Sequence, residues 1–221
     1  MEILLSAKNI SKTFQGRRVL DNIDIEINNA EIVAISGPSG AGKTTLLNIL
    51  STLDKPDESN KSSLIIDNEE IFSLGKNGLA KLRNQKIGFV FQFHELIPEL
   101  NVLENVCLPG WIKKDNDVKK KAEELLKYFG LEDFTNKKPL TLSGGEKQRV
   151  AIARSLVNNP KIIFADEPTG NLDSKNSKIL FDLFFKLRDD YNCSVVIVTH
   201  DEKNANICDR KLLIVDGKIK N

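Results

Sequence analysis

The sequence predicts an α/β fold whose core is a parallel sheet, with short strands before the core and a helical insert within it. Three observations predict this class. Strand candidates alternate with helical stripes along the chain. Ile23, Ile25 and Ile27 alternate with Asp24 and Glu26, the period of a half-buried strand. The stretch from about 95 to 150 has a helical pattern that interrupts the strands.

The first half of the core is predicted as strand, turn and helix. The run Glu31-Ile32-Val33-Ala34-Ile35 is a strand candidate that leads into a Gly-rich turn. A helix is predicted next, because Leu46, Ile49, Leu50 and Leu53 share one face at positions i, i+3, i+4 and i+7. The segments 64–66 and 87–91 are further strand candidates.

The second half repeats the alternation. A charged helix is predicted around one apolar stripe, formed by Val118, Ala122, Leu125, Leu126 and Phe129. The strand candidate 161–165 follows, then a helix over 180–191 and a strand over 194–199. A short strand pair is predicted around Asp216 and Gly217, where a turn residue precedes glycine.

Composition excludes several function classes. Hydrophobic residues make up 40% of the 221 residues, enough for one compact domain. The longest apolar runs have four residues, whereas a membrane-spanning helix needs about 20, and the first residues lack a secretory pattern. Lys and Arg number 32 against 31 Asp and Glu, which argues against nucleic acid as a partner. Three scattered cysteines, Cys107, Cys193 and Cys208, favour a reducing compartment, so we expect a cytosolic protein.

The segment 37–44 matches G-x-x-x-x-G-K-[ST] between a predicted strand and a predicted helix. Its glycines allow backbone N–H groups to converge on phosphate oxygens at a helix N-terminus. Lys43 is placed to reach the β- and γ-phosphates, and the Thr44 hydroxyl to ligate Mg²⁺. A Gly-rich helix entry with a solvent-facing lysine is the alternative. The predicted phosphate cradle consists of Gly37, Pro38, Ser39, Gly40, Ala41, Gly42, Lys43, Thr44 and Thr45.

Two carboxylates, Asp166 and Glu167, follow the apolar run 162–165. We expect this strand to lie beside the strand that precedes the P-loop, with both residues facing the ligand crevice of the sheet. Asp166 is then the Mg²⁺ ligand, directly or through water. Glu167 is then the base that orients and deprotonates the attacking water. A structural pair or a helix cap is the alternative for an isolated Asp-Glu.

A second helix start at Ser143, Gly144 and Gly145 has the features of an anion site: a serine cap, two glycines and free N–H groups. One nucleotide needs one phosphate cradle. A second cradle therefore suggests a site shared between two chains, whereas a simple helix cap is the alternative.

These motifs together resemble the ATPase subunits of ABC transporters. LSGGEKQRVAIARSL (142–156), followed by IIFADEPTGNLD (162–173), is similar to that family's signature and Walker B segments. The family's motif order spans essentially the whole chain. The resemblance implies the ABC ATPase fold: a single domain over 1–221, with a core and an antiparallel N-terminal β subdomain in 1–94 and 158–221, and a helical subdomain in 95–157.

The resemblance also implies roles for further residues. Phe14 matches the aromatic that stacks on adenine, where the family usually has tyrosine. Gln92 matches the Gln-loop residue that touches Mg²⁺ and links the core to the helical insert. His200 matches the switch histidine near the γ-phosphate, and the segment 171–173 matches the D-loop, which contacts the opposite subunit.

The family's mechanism implies a homodimer that holds two ATP molecules, each between one P-loop and the partner's helix start at Ser143, Gly144, Gly145 and Glu146. Hydrolysis, with Glu167, His200, Lys43 and Mg²⁺, lets the dimer open. The chain ends at Asn221 without a fused membrane segment. We therefore expect permease subunits on separate chains and a peripheral position on the cytoplasmic face of the inner membrane.

The segments 82–106 and 165–173 are most similar to the subgroup of lipoprotein-releasing, macrolide-export and cell-division ATPases. The run Gln92-Phe93-His94 with Leu96 and Pro98 favours lipoprotein release. The cell-division and export functions remain open, and a kinase is disfavoured by the signature segment. A soluble ABC ATPase that acts on ribosomes or nucleic acid is disfavoured because the chain has one cassette and no long insertion.

Overall fold

The computed structural model describes residues 2–59 and 61–220. The strands are β1 (Ile3–Phe14), β2 (Arg17–Asn28), β3 (Ile32–Ser36), β4 (Ser63–Ile66), β5 (Glu69–Glu70), β6 (Ile87–Val90), β7 (Ile162–Asp166), β8 (Ser194–Val198), β9 (Arg210–Val215) and β10 (Lys218–Lys220). The α-helices are α1 (Lys43–Leu50), α2 (Lys76–Lys86), α3 (Val102–Lys113), α4 (Val118–Tyr128), α5 (Gly144–Leu156), α6 (Ser174–Tyr191) and α7 (Glu202–Ile207). Two 3₁₀ helices cover Glu132–Phe134 and Pro139–Thr141.

The strands form two sheets. The first is antiparallel, with the order β2-β1-β4-β5. The second has six strands in the order β10-β9-β3-β8-β7-β6, parallel except for the pairing of β10 with β9. The helices α3 to α5 come between β6 and β7. The predicted fold class, with its parallel core, N-terminal antiparallel sheet and helical insert, is confirmed.

The expected neighbourhood of the P-loop strand is wrong in one respect. The neighbours of β3 are β8 and β9, so β8 separates it from β7, the strand that ends at Asp166. Parallel strands of similar length end at one edge of a sheet. The two functional segments therefore still reach the same edge across one intervening strand.

Other sequence expectations shift at their boundaries. The helix predicted through Leu53 ends at Leu50, because Ser51 caps it and Thr52 has a φ of 67°. Leu53 consequently lies outside the apolar stripe and is exposed. The N-terminal strands, expected to be short, are two strands of twelve residues each.

The central sheet is covered on both faces, which explains its continuous apolar runs. Alternate residues of β3, β7 and β8 point to opposite faces. On one face, Ile163 and Val195 pack against α3 to α6. On the other, Phe164 and Val196 pack with α1 and the antiparallel sheet. Within residues 2–59 and 61–220, none of the helices combines the length and apolar character that crossing a bilayer requires.

Candidate functional site

The P-loop (Gly37–Thr44) follows β3 and is fixed by backbone contacts with two other strands. Gly37 has a φ of 146°, and a Cβ there would lie 2.1 Å from the carbonyl oxygen of Ile214 in β9. Gly42 has a φ of 100°, and a Cβ there would lie 2.8 Å from the carbonyl oxygen of Val19 in β2. Any side chain at these positions would therefore displace the loop.

Lys43 begins α1 and faces the loop that precedes it. Its Nζ donates to the carbonyl oxygens of Gly37 at 2.9 Å and Pro38 at 3.0 Å. The ammonium therefore lies over the cradle that the P-loop encloses. A cavity of about 330 Å³ opens there, lined by Val19, Ser39, Gly40, Gly42, Lys43, Thr44, Thr45 and Glu167.

The Thr44 hydroxyl donates to Oδ1 of Asp166 at 3.2 Å. Burial raises the pKa of Asp166, the nearby charge of Glu167 adds to this rise, and the bond from Thr44 opposes it. Such a carboxylate gains from a nearby cation. Hydroxyl and carboxylate oxygens are the ligands that Mg²⁺ prefers. The pair therefore fits a magnesium ion.

Glu167 and His200 meet beyond the ends of β7 and β8. Nδ1 of His200 lies 2.9 Å from Oε2 of Glu167. Glu167 has a φ of 44°, and its N–H donates to the Val198 carbonyl at 2.9 Å, which fixes this unusual backbone. A non-glycine residue in the left-handed region often marks a functional site. Glu167 lines the P-loop cavity, the location required of a base that would act on a water there.

The Gln loop, which we define as residues 91–95, follows β6. The Gln92 amide lies against Gly170, where an added Cβ would be 2.9 Å from Nε2. The side-chain amide of Asn171 donates to the Gln92 carbonyl at 3.1 Å. The structure therefore places Gln92 beside the D-loop of its own chain. Its amide is not among the hydrogen-bond partners of Thr44 and Asp166 in the part of the chain that is described.

Ser143 caps α5 in a capping box. The Ser143 hydroxyl accepts from the Glu146 N–H at 3.3 Å, while the Glu146 carboxylate accepts from the Ser143 N–H at 2.7 Å and from its hydroxyl at 2.8 Å. These bonds hold the pKa of Glu146 below its usual value. Ser143 and Gly144 are exposed, so this helix start is available to a second molecule.

Phe14 lies at the end of β1, in the turn to β2. Its side chain is 47% exposed, and the ammonium of Lys12 lies 5.1 Å from the ring centroid. A ring in this position offers one face to a flat ligand. Phe14 does not belong to the lining of the P-loop cavity over the residues that the structure covers. An adenine stacked on it would therefore extend outwards from the cradle.

The comparisons with known proteins agree over most of the chain. The family model described as "ABC transporter" matches residues 20–170. The chain belongs to the ABC transporter family. It is 49% identical to the lipoprotein-releasing system ATP-binding protein LolD of Bacteroides thetaiotaomicron over 98% of this chain and 99% of that protein. It is also 49% identical to LolD of Cytophaga hutchinsonii over 99% of this chain and 100% of that protein.

The solved structures give the same result for the fold. A dimeric ATP-binding cassette, MJ0796, solved with ADP and phosphate, is 44% identical, with a TM-score of 0.88 over 98% of this chain and 97% of that chain. This ABC transporter chain is thus an ATP-binding subunit and an ABC-type ATPase. The predictions of family, fold and ATPase activity are confirmed.

Some residues of the site in this ABC ATPase were not found from the sequence. Val19 lines the cavity from β2, and Gln148 and Arg154 of α5 donate to carbonyls of the Gln loop. Val19 is an ordinary strand residue, and no sequence pattern marks it as part of the site. Arg154 belongs to the signature segment 142–156, but its partners are about 60 residues away in sequence, so only the tertiary fold brings them together.

Proposed function

We propose that this chain is the ATPase subunit of a lipoprotein-releasing complex and drives a membrane permease carried on separate chains. The observation that carries the proposal is the full-length similarity to proteins named for that system, at 49% identity. The run from Gln92 to Pro98 supports the same subgroup.

For hydrolysis, we assign the roles from the contacts of each side chain and from the family motifs that these residues match. The P-loop backbone and Lys43 bind the phosphates, and Phe14 stacks on the base. Glu167 holds and deprotonates the attacking water, and His200 keeps the Glu167 carboxylate in place. Thr44 and Asp166 would hold Mg²⁺, and Gln92 would join them if its amide turned from Gly170 towards this pair. When bound, this ion supplies charge stabilisation to the phosphates.

We propose that the second half of each site comes from another copy of the chain. The exposed start of α5, at Ser143 to Glu146, would face the phosphates held by the partner's P-loop. The dimeric state of the similar cassette MJ0796 supports a homodimer. Such an arrangement is isologous, because each chain gives and receives the same surface.

A groove beside the Gln loop supports a protein partner. It has a volume of about 480 Å³ and is bounded by Arg83 of α2, Phe89 of β6, Phe91, and Pro109 and Ile112 of α3. Ile112 is 68% exposed at its edge. We propose that a permease subunit docks in this groove. The helical segment 95–157 would then move together with the permease. The chain would lie on the cytoplasmic face of the inner membrane.

The catalytic assignment is tested by Glu167→Gln. The variant keeps the side-chain shape and loses the base. We expect kcat for ATP to fall by a factor on the order of 10²–10⁴ while the Kd for ATP stays within about two-fold. Turnover at the wild-type rate would overturn the assignment of Glu167.

The partner is tested by capture of tagged Glu167→Gln protein from detergent-solubilised membranes with ATP and Mg²⁺, followed by mass spectrometry. The proposal predicts permease chains with large extracytoplasmic domains together with acylated lipoproteins. Recovery of cell-wall enzymes with a division-type membrane protein, or of a macrolide exporter, would contradict lipoprotein release. Ribosomes or nucleic acid without membrane proteins would contradict the transporter role.

A further inference from the structure

The backbone of the Gln loop is held by side chains from two other parts of the chain. The Phe91 carbonyl accepts from the Gln148 amide at 3.4 Å, and the Gln92 carbonyl accepts from Asn171 at 3.1 Å. The carbonyls of His94 and Glu95 both accept from the guanidinium of Arg154, with 2.8 Å between Nη2 and the His94 oxygen. The side chains of α5 thus account for three of these four contacts.

His94 and Glu95 need such support. Both have positive φ values, 64° and 48°, a conformation that costs non-glycine residues on the order of 1 kcal/mol or more. Two consecutive residues of this kind persist only where the surroundings impose them. The planar fork of an arginine can donate to two adjacent carbonyls at once, whereas a lysine ammonium cannot reproduce that geometry.

The surroundings of Arg154 favour its hydrogen bonds to the His94 and Glu95 carbonyls. Burial lowers the pKa of its guanidinium, but arginine stays protonated in proteins. A half-buried cation still needs hydrogen-bond acceptors. Its side chain also bounds the groove, together with Phe91. Arg154 therefore links the groove, the loop that carries Gln92 and α5, the helix that Ser143 caps.

We infer that Arg154 is a positioning residue for Gln92: it fixes the backbone of the Gln loop to α5, so that the glutamine amide and the signature helix move as one unit. The inference rests on the proposed role of Gln92 at the metal. Gln148 and Asn171 hold the first two carbonyls of the loop, and Arg154 holds the last two.

The test uses the full-length chain and compares Arg154→Lys, Gln92→Ala and the double variant. We expect Arg154→Lys to lower kcat about ten-fold and to raise the Mg²⁺ concentration for half-maximal rate, because misplacing a reacting group by about 1 Å costs up to two orders of magnitude in rate. We expect the KM for ATP to change less than about two-fold. If Arg154 acts through Gln92, Arg154→Lys causes no further loss in the Gln92→Ala background.

Arg188→Lys is the matched control, since Arg188 in α6 binds Asp209 at 2.7 Å, away from the Gln loop. It should keep wild-type kcat, and thermal unfolding of all variants checks the fold. Losses that multiply in the double variant would overturn the inference, as would wild-type kinetics in Arg154→Lys. A wild-type chain that hydrolyses no ATP would instead overturn the proposed function, whereas an active Glu167→Gln would overturn only the assignment of Glu167 as the base.

Discussion

The chain has two helix starts that the sequence marks as anion sites, and they differ in how their backbone N–H groups are satisfied. At α1, the N-cap is Gly42 in the left-handed region, and within the described chain α1 receives no side-chain cap and has no acidic residue in its first turn. At α5, Ser143 and Glu146 form a capping box. An uncapped start gains most from a phosphate, because its N–H groups otherwise bond only to water.

This difference indicates that the two helix starts have different roles in binding phosphate. The start of α1 is enclosed by the Gly37 and Gly42 contacts, and in the proposed site it would form the primary phosphate cradle. The start of α5 is exposed and stable on its own, because Glu146 already accepts from Ser143. It would bind a second chain's nucleotide only as the two chains approach, and would keep its fold when they part.

The largest expected contrast comes from the lysine in the first turn of each helix. Lys43→Ala should lower kcat on the order of 10²–10³, since it removes a preorganised cation from the phosphate cradle. Lys147→Ala at the start of α5 should change it at most a few-fold, as expected for a screened surface charge. ATPase assays on both variants measure this. If both variants lost the same fraction of kcat, the two helix starts would not have different roles in hydrolysis.

Glycine substitutions compare how tightly the backbone is constrained in the P-loop and at the start of α5. Gly37→Ala should destabilise the fold by about 3–5 kcal/mol, because its Cβ would lie 2.1 Å from a backbone oxygen. Gly144→Ala should stay within about 0.5 kcal/mol, because its Cβ would meet only the Leu172 side chain at 3.7 Å. Urea unfolding compares them. Similar midpoints for the two variants would show that the P-loop backbone is not constrained as described.

The capping box should contribute to stability by a smaller amount. Ser143→Ala removes the cap of α5 and should cost about 1 kcal/mol in the free energy of unfolding. Ser39→Ala, in the P-loop turn, is the control and should leave stability near wild type, since Ser39 is exposed and caps no helix. A loss in Ser39→Ala equal to that in Ser143→Ala would contradict the assigned cap.

The smallest effect is a pH dependence. The Ser143 N–H and hydroxyl hold the pKa of Glu146 below its usual value of 4.5. The folded pKa is thus the lower one, so this contribution is complete above pH 4.5 and is lost as the pH falls through the folded pKa. The stability gap between wild type and Glu146→Gln should therefore narrow below pH 4.5. If the difference in stability between the two proteins stayed constant down to the pH of acid unfolding, the lowered pKa of Glu146 would not contribute to stability.

Sequence patterns predicted the parts of the site that are local and left out those that are not. The P-loop, the capped start of α5 and the order of strands and helices each depend on residues close in sequence, whose spacing fixes backbone geometry. The position of β7, one strand away from β3, depends on the order in which strands pair. The hydrogen bond from Arg154 to the His94 carbonyl depends on the packing of α5 beside β6. No local sequence pattern predicts that packing.

The most direct test of the account is the mass of the Glu167→Gln chain in solution with ATP and Mg²⁺, measured by light scattering. The account predicts a rise from 24.7 kDa to twice that mass when ATP is added. In Glu167→Gln with Gly144→Glu, the added carboxylate suits the helix start but repels a partner's phosphates. This double variant should bind ATP and remain at 24.7 kDa. Equal dimerisation of both proteins would contradict a site shared between the P-loop and the start of α5.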